Sequence, residues 1–220
     1  MIHPRSSSVP LAALDHLVLA AATLDQGEDH IEALLGVRPR RGGKHVAIGT
    51  HNSLLRLGEL SYLELIAIDP EGEAPLRPRW FALDTASMRT ALREAPRLIH
   101  WVARTEDIDA ARRACPVELG PAHSMERGSF RWRITIPDDG HLPGGGVVPT
   151  LIQWADARHP ADTMADSHVR LVALAGAHRE PATIHRALAA LGLGDALSVT
   201  YGAEPRLAAM LQTPRGPVTL

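Results

Sequence analysis

Hydrophobic positions in this chain switch between two spacings, and each switch marks the border of an element. From Leu14 the run DHLVLAA is short, apolar and suited to a strand, whereas LDQGEDHIEALLG sets Ile31, Leu34 and Leu35 at helical spacing and stops at Gly36. Gly42 and Gly43 open HVAIGTHNSLLRLG, whose Gly, Thr and Asn punctuation predicts two short strands about a turn. SYLELIAID then supplies a strand with β-branched and aromatic members. The first unit reads β-α-β-β-β.

A Pro-rich link, EGEAPLRPRW, and the helix-prone FALDTASMRTALREA follow, and the pattern restarts. LIHWVARTEDIDAARRACP predicts a strand and a helix begun at Asp107 or Asp109, and SFRWRITIP and VVPTLIQWAD predict two more strands. LDHLVLAAATLD is echoed by LIHWVARTEDID, so that His16 falls on His100 and Asp25 on Asp109, each pair 84 residues apart without a gap. Glu64 of YLELIAID can be set against Gln153 of TLIQWAD at an offset of 89, the five extra residues falling in DDGHLPGGG. A repeat this long indicates duplicated supersecondary units that pack on each other. Beyond the polar connection ADARHPADTMADS, the tail reads as strand, helix and two further strands, SHVRLVALAGAH, PATIHRALAALGLGD, LSVTYG and RGPVTL. The expected organisation is a Ser/Pro-rich lead-in over 1–11, a first module over 12–72, a linking helix within 73–96, a second module over 97–160 and a small C-terminal α+β extension over 166–220.

Composition narrows the function classes. The 220 residues are 45% hydrophobic, enough to bury a sizeable core. With 23 Lys+Arg against 25 Asp+Glu and no run of five like charges, the chain offers no electrostatic grip on nucleic acid or anionic lipid, which favours small-molecule or protein partners. Its one cysteine, Cys115, excludes an internal disulfide framework, fits a reducing cytoplasm, and reads as a buried thiol at a helix end rather than a nucleophile. No stretch approaches the roughly 18 apolar residues of a membrane span, and MIHPRSSSVP lacks an apolar signal core, so the expected location is cytoplasmic. No G-x-S-x-G, C-x-x-C or phosphate-cradling motif is present.

Paired units that open on DHLV and IHWV and close on YLELIA and LIQW resemble the vicinal oxygen chelate superfamily. GGKHVAIGTHNSLLRLG, YLELIAIDPE, FRWRITIP, LIQWADARHP and LQTPRGPVTL are similar to bacterial glyoxalase-like domain proteins, and the resemblance covers nearly the whole chain. It implies an α+β fold in which two tandem βαβββ modules form a curled mixed sheet, a cup with flanking helices, in a protein that often forms a homodimer. It also implies a divalent metal (Fe, Mn, Ni, Co or Zn) held by His16, Glu64, His100 and Gln153. Such a centre would take a small substrate by two adjacent oxygens for isomerase, lyase or dioxygenase chemistry, with Glu64 as the base.

The amide of Gln153 departs from the carboxylate usual at its place in the family. The residues themselves leave alternatives open. Strand histidines are commonly structural, Glu64 between Leu63 and Leu65 faces either the cup or solvent, and a metal-free cup would bind or sequester a small molecule. His45, Thr50 and Asn52 in HVAIGTHNS are candidates for holding substrate, as is Arg133, which shares a face with Arg131 opposite Trp132. Turn chemistry and an exposed edge strand are their plainer explanations. Trp101 and Trp154, each beside an implied ligand, are expected to turn away into packing, and the glycine run of DDGHLPGGG suits either a lid or a plain connector.

Overall fold

The 84-residue repeat is visible in the backbone. In the computed structural model, which describes residues 11–220, the first module runs β1 (Ala12–Ala20), α1 (Leu24–Leu35), β2 (Arg40–His45), β3 (Thr50–Arg56) and β4 (Tyr62–Ile68). A short helix, α2 (Ala86–Glu94), leads to the second: β5 (Arg97–Thr105), α3 (Ile108–Ala114), β6 (Ala122–Arg127), β7 (Phe130–Thr135) and β8 (Thr150–Trp154). Helix starts keep the register of the repeat, since the side chains of Thr23 and Asp107 accept from the N–H groups of Gln26 and Ala110. The lead-in expected over 1–11 lies, Leu11 apart, outside the described residues.

All eight strands join one mixed sheet in the order β2-β3-β4-β1-β5-β8-β7-β6. β1 and β5 lie antiparallel at its centre, with His16 opposite Val102 and Val18 opposite His100, while β4 runs parallel to β1 and β8 parallel to β5. The two modules are thus related by an approximate two-fold between β1 and β5. The sheet curls until its edges, β2 and β6, approach each other. Gly43 faces Arg127 across this seam, and a Cβ there would lie 2.8 Å from Cδ of that side chain.

Strand alternation divides the apolar side chains between two cores. Leu17, Leu19, Leu63, Leu65, Trp101 and Ala103 face outward into a layer shared with the helices and the C-terminal extension. Val18, Ala20, Ile66, Val102, Ile134 and Ile152 face the cup. Trp101 turns away from the cup as expected and donates to the Val147 carbonyl at 2.9 Å. Trp154 does the opposite and packs on the cup side against Trp132, ring centroids 5.5 Å apart.

The extension comprises β9 (Arg170–His178), α4 (Pro181–Ala190), β10 (Ser198–Tyr201), β11 (Arg206–Thr213) and β12 (Gly216–Thr219), with strand order β10-β9-β11-β12. It is not a third copy of the module, whose first strand pairs with its last; here β9 lies between β10 and β11. β11 escapes the sequence pattern because RLAAMLQT has an alanine-rich, helix-favouring composition, and pairing on both sides overrides that preference. Leu174, Ile184, Leu188 and Leu211 join the core that holds Leu17 and Trp101.

The connecting segment is pinned rather than loose: His159 and Asp162 cap its 3₁₀ turn, and Arg56 donates to the Met164 carbonyl at 3.3 Å. The glycine run is also a connector. Gly144, Gly145 and Gly146 all take positive φ in a tight turn, and the Gly146 carbonyl is committed to His100. Burial pushes the Cys115 thiol up, which suits a packing role at the end of α3. No helix among the described residues is long and apolar enough to cross a membrane.

Candidate active site

His16 owes its orientation to an irregularity in β1. Pairing with β5 shifts between Leu14 and His16, so Asp15 is an extra, bulged residue that stays beside His16 instead of passing to the opposite face. Its fully buried carboxylate receives three donors: His16 Nδ1 at 2.7 Å on one oxygen, and Trp154 Nε1 at 2.8 Å and His159 Nε2 at 3.1 Å on the other. Burial alone would raise Asp15, but the hydrogen bonds from His159 and His16 outweigh it and hold the group well below the usual carboxylate range. His159 is fixed in turn, since its Nδ1 accepts the Ala161 N–H at 3.2 Å. With Nδ1–H committed to Asp15, His16 presents Nε2 to the cup, 3.6 Å from Glu64 Oε2, and its ring stacks on Tyr62 at 4.6 Å.

Glu64 faces the cup. Asn52 donates to its Oε1 at 2.5 Å while taking the Gly43 N–H on its own carbonyl at 2.9 Å, which also settles the orientation of the amide. His45 Nε2 lies 3.9 Å from the same carboxylate and accepts from Arg127 at 3.3 Å, so its Nδ1–H is directed to Thr50 Oγ1 at 3.1 Å. Burial, only partly offset by Glu64, lowers His45 to about 4 and keeps it neutral. Burial foremost, then Asp15 and Glu64, hold the Tyr62 hydroxyl well above its ordinary value.

Over this cluster lie Trp80 and Phe81, stacked with centroids 5.2 Å apart, on a backbone where Phe81 and Ala82 both take positive φ. The space left among these side chains is about 20 Å³, room for roughly one water. Trp80 Nε1 is buried with no hydrogen-bond acceptor among the described residues.

The second module does not repeat this arrangement. His100 Nδ1 donates to the Gly146 carbonyl at 3.1 Å, and Nε2 accepts from the Thr150 N–H at 3.1 Å and its hydroxyl at 2.9 Å. Full burial lowers it to about 3, so it is a neutral ring with both nitrogens engaged. Register shows why no partner resembling Glu64 stands beside it. Glu64 pairs with Val18 on β1, and the residue paired with the equivalent Val102 on β5 is Thr150.

Gln153 falls on the other face of β8, with Oε1 accepting from Ile108 N–H at 3.3 Å and Nε2 donating to the Glu106 carbonyl at 2.5 Å. Arg133, opposite Gln153, also faces outward and forks onto Asp109 at 2.8 and 3.0 Å. Of the four residues implied as metal ligands, His16 and Glu64 meet in the cup while His100 and Gln153 do not join them. Among the described residues no group of three or more His, Cys, Asp or Glu side chains is placed to hold a metal ion. The expected centre therefore does not fit these residues. Of the candidates for holding substrate, His45, Thr50 and Asn52 are in the cluster, Thr50 and Asn52 by positioning His45 and Glu64, and Arg133 is outside it.

Sequence reasoning overlooked Asp15, Tyr62, Trp80, Arg127 and His159. Asp15 and Tyr62 carried a faint signal as polar neighbours of His16 and Glu64 in strand, whereas Trp80, Arg127 and His159 arrive from segments distant in sequence.

A family model described as a glyoxalase-like domain matches residues 14–192. None of the curated proteins matches the sequence. Among solved structures, a hypothetical protein from Staphylococcus aureus is similar, with TM-score 0.62 and 14% identity over 89% of this chain and 88% of that one. Methylmalonyl-CoA epimerase from Mycobacterium tuberculosis gives TM-score 0.44 and 22% identity over 70% of this chain and 95% of its own. The Streptomyces coelicolor epimerase, in a complex with 2-nitronate-propionyl-CoA, gives 0.42 and 20% over 66% and 99%. The paired modules and the length of the family match together assign the chain to the glyoxalase-like domain family of the vicinal oxygen chelate superfamily.

Proposed function

We propose that the chain is a small-molecule enzyme whose cup carries out proton transfer with groups from the first module alone. The observation that carries this reading is the buried, ionised Asp15 holding His16 so that Nε2 faces Glu64 across 3.6 Å. A neutral His16 has its lone pair on Nε2, and Asp15 both fixes that tautomer and stabilises the imidazolium formed when a proton arrives. Glu64, steadied by Asn52, is the second proton acceptor at the same place. Such a pair suits removal of a proton from carbon next to a carbonyl and its return either to the opposite face of that carbon, which is epimerase chemistry, or to the neighbouring position, which is isomerase chemistry. Trp80 Nε1, a buried donor in the cup wall, is available to the oxygen on which charge develops.

A space of about 20 Å³ is too small for a whole apolar ligand, which weighs against sequestration, and a substrate's reacting end enters only where the side chains lining the cup give way. Incubation with a panel of 2-oxo acids and acyl compounds in deuterated water, followed by proton NMR, tests the reading. Deuterium should enter beside the carbonyl of at least one compound with the wild type and not with Glu64→Gln. A wild type that exchanges none of them overturns it.

A further inference from the structure

A groove of about 610 Å³ runs outside the seam between β2 and β6, and five arginines line it: Arg38, Arg40, Arg41, Arg56 and Arg127. Carboxylates neutralise two of them. Arg38 is paired with Glu28, Asp29 and Glu32, and Arg41 with Asp25 and Glu28. The other three keep their charge. Arg40, exposed on β2, has no ion pair among the described residues. Among the described residues, Arg56 donates only to the carbonyls of Gly58 and Met164, and Arg127 only to His45. Asp166, the one carboxylate in the lining, is itself held in the fork of Arg170 at 2.8 and 2.7 Å.

Arg127 lines this groove and the cup alike, and Gly43 in the groove wall is tied to Glu64 through Asn52. Three uncompensated guanidinium groups in a concave site match the higher charge and the several tetrahedrally arranged oxygens of a phosphate better than a single carboxylate. From this juxtaposition we infer that the groove binds the phosphate-bearing tail of the substrate, and that Arg127 is the junction past which its reacting end enters the cup. The inference rests on the proton-transfer reading for what happens in the cup, but the groove is tested by binding alone.

Calorimetric titration of the full chain with inorganic pyrophosphate at low ionic strength is the experiment. Binding is expected, weakened about tenfold in Arg40→Gln and further in Arg40→Gln/Arg56→Gln. Arg40 is exposed and unpaired, so its variant reports on binding without threatening the fold. Glu64→Gln should bind pyrophosphate as the wild type does, so loss of exchange with binding intact separates a failed catalytic reading from a failed groove. Absence of pyrophosphate binding, unchanged affinity in Arg40→Gln, or equal affinity for succinate overturns the inference.

Discussion

A carboxylate taken wholly out of water costs several kcal/mol unless donors replace its hydration, and Asp15 has three of them. Asp15→Asn removes the charge that fixes His16 and breaks a buried network. It should lower stability by about 3 kcal/mol in urea unfolding and kcat/KM by up to about a hundredfold. His45 and His100 have the opposite linkage to an ion-paired histidine. Both are lowered in the folded chain, to about 4 and about 3, so between those values and their ordinary 6.5 the unfolded chain binds protons that the folded chain does not. Stability therefore rises with pH across that window and falls on acidification from 6.5, by up to about 1.4 kcal/mol per pH unit for each histidine. Urea midpoints followed from pH 7 to 4.5 check this, and His100→Asn should flatten the slope. At this scale His16 was marked in the sequence by the repeat, whereas Glu64 came only from what the family resemblance implies, since alternation left it facing either the cup or solvent. Asp15 was marked by neither, since only a bulge keeps it beside His16.

Elements explain where the repeat misled. Setting Gln153 against Glu64 placed the insertion correctly in DDGHLPGGG but slid β8 to the wrong parity, and an odd slip moves every side chain to the other face of a strand. The same slip explains why Trp154 lines the cup and why Gln153 does not. The glycine turn before β8 is specified at Gly146, its buried glycine, by backbone contact. A Cβ on Gly146, at φ 98°, would lie 2.4 Å from the Ile99 carbonyl, whereas Gly128, at φ 58°, has nothing within 4 Å. Gly146→Ala should thus cost about 3 kcal/mol or more and Gly128→Ala only about 1 kcal/mol, read from denaturant unfolding. Comparable losses at both positions would show that the turn tolerates displacement.

For the whole molecule, the duplicated sequence was enough to indicate paired modules, and the resemblance to the vicinal oxygen chelate superfamily supplied the curled sheet. The closure at the seam, the Trp80–Phe81 cover and the arginine groove had no such signal, for they arise where segments far apart in sequence meet. Duplication did not preserve chemistry. One module keeps a histidine facing a carboxylate, and the other keeps a histidine bound by Thr150 and Gly146. Comparing His16→Asn with His100→Asn in the solvent-exchange assay, with folding verified for both, tests this asymmetry most directly. His16→Asn should lose about a hundredfold or more in kcat/KM, while His100→Asn loses stability and keeps its rate. Equal loss of rate in the two folded variants would contradict the account and restore a centre shared by both modules.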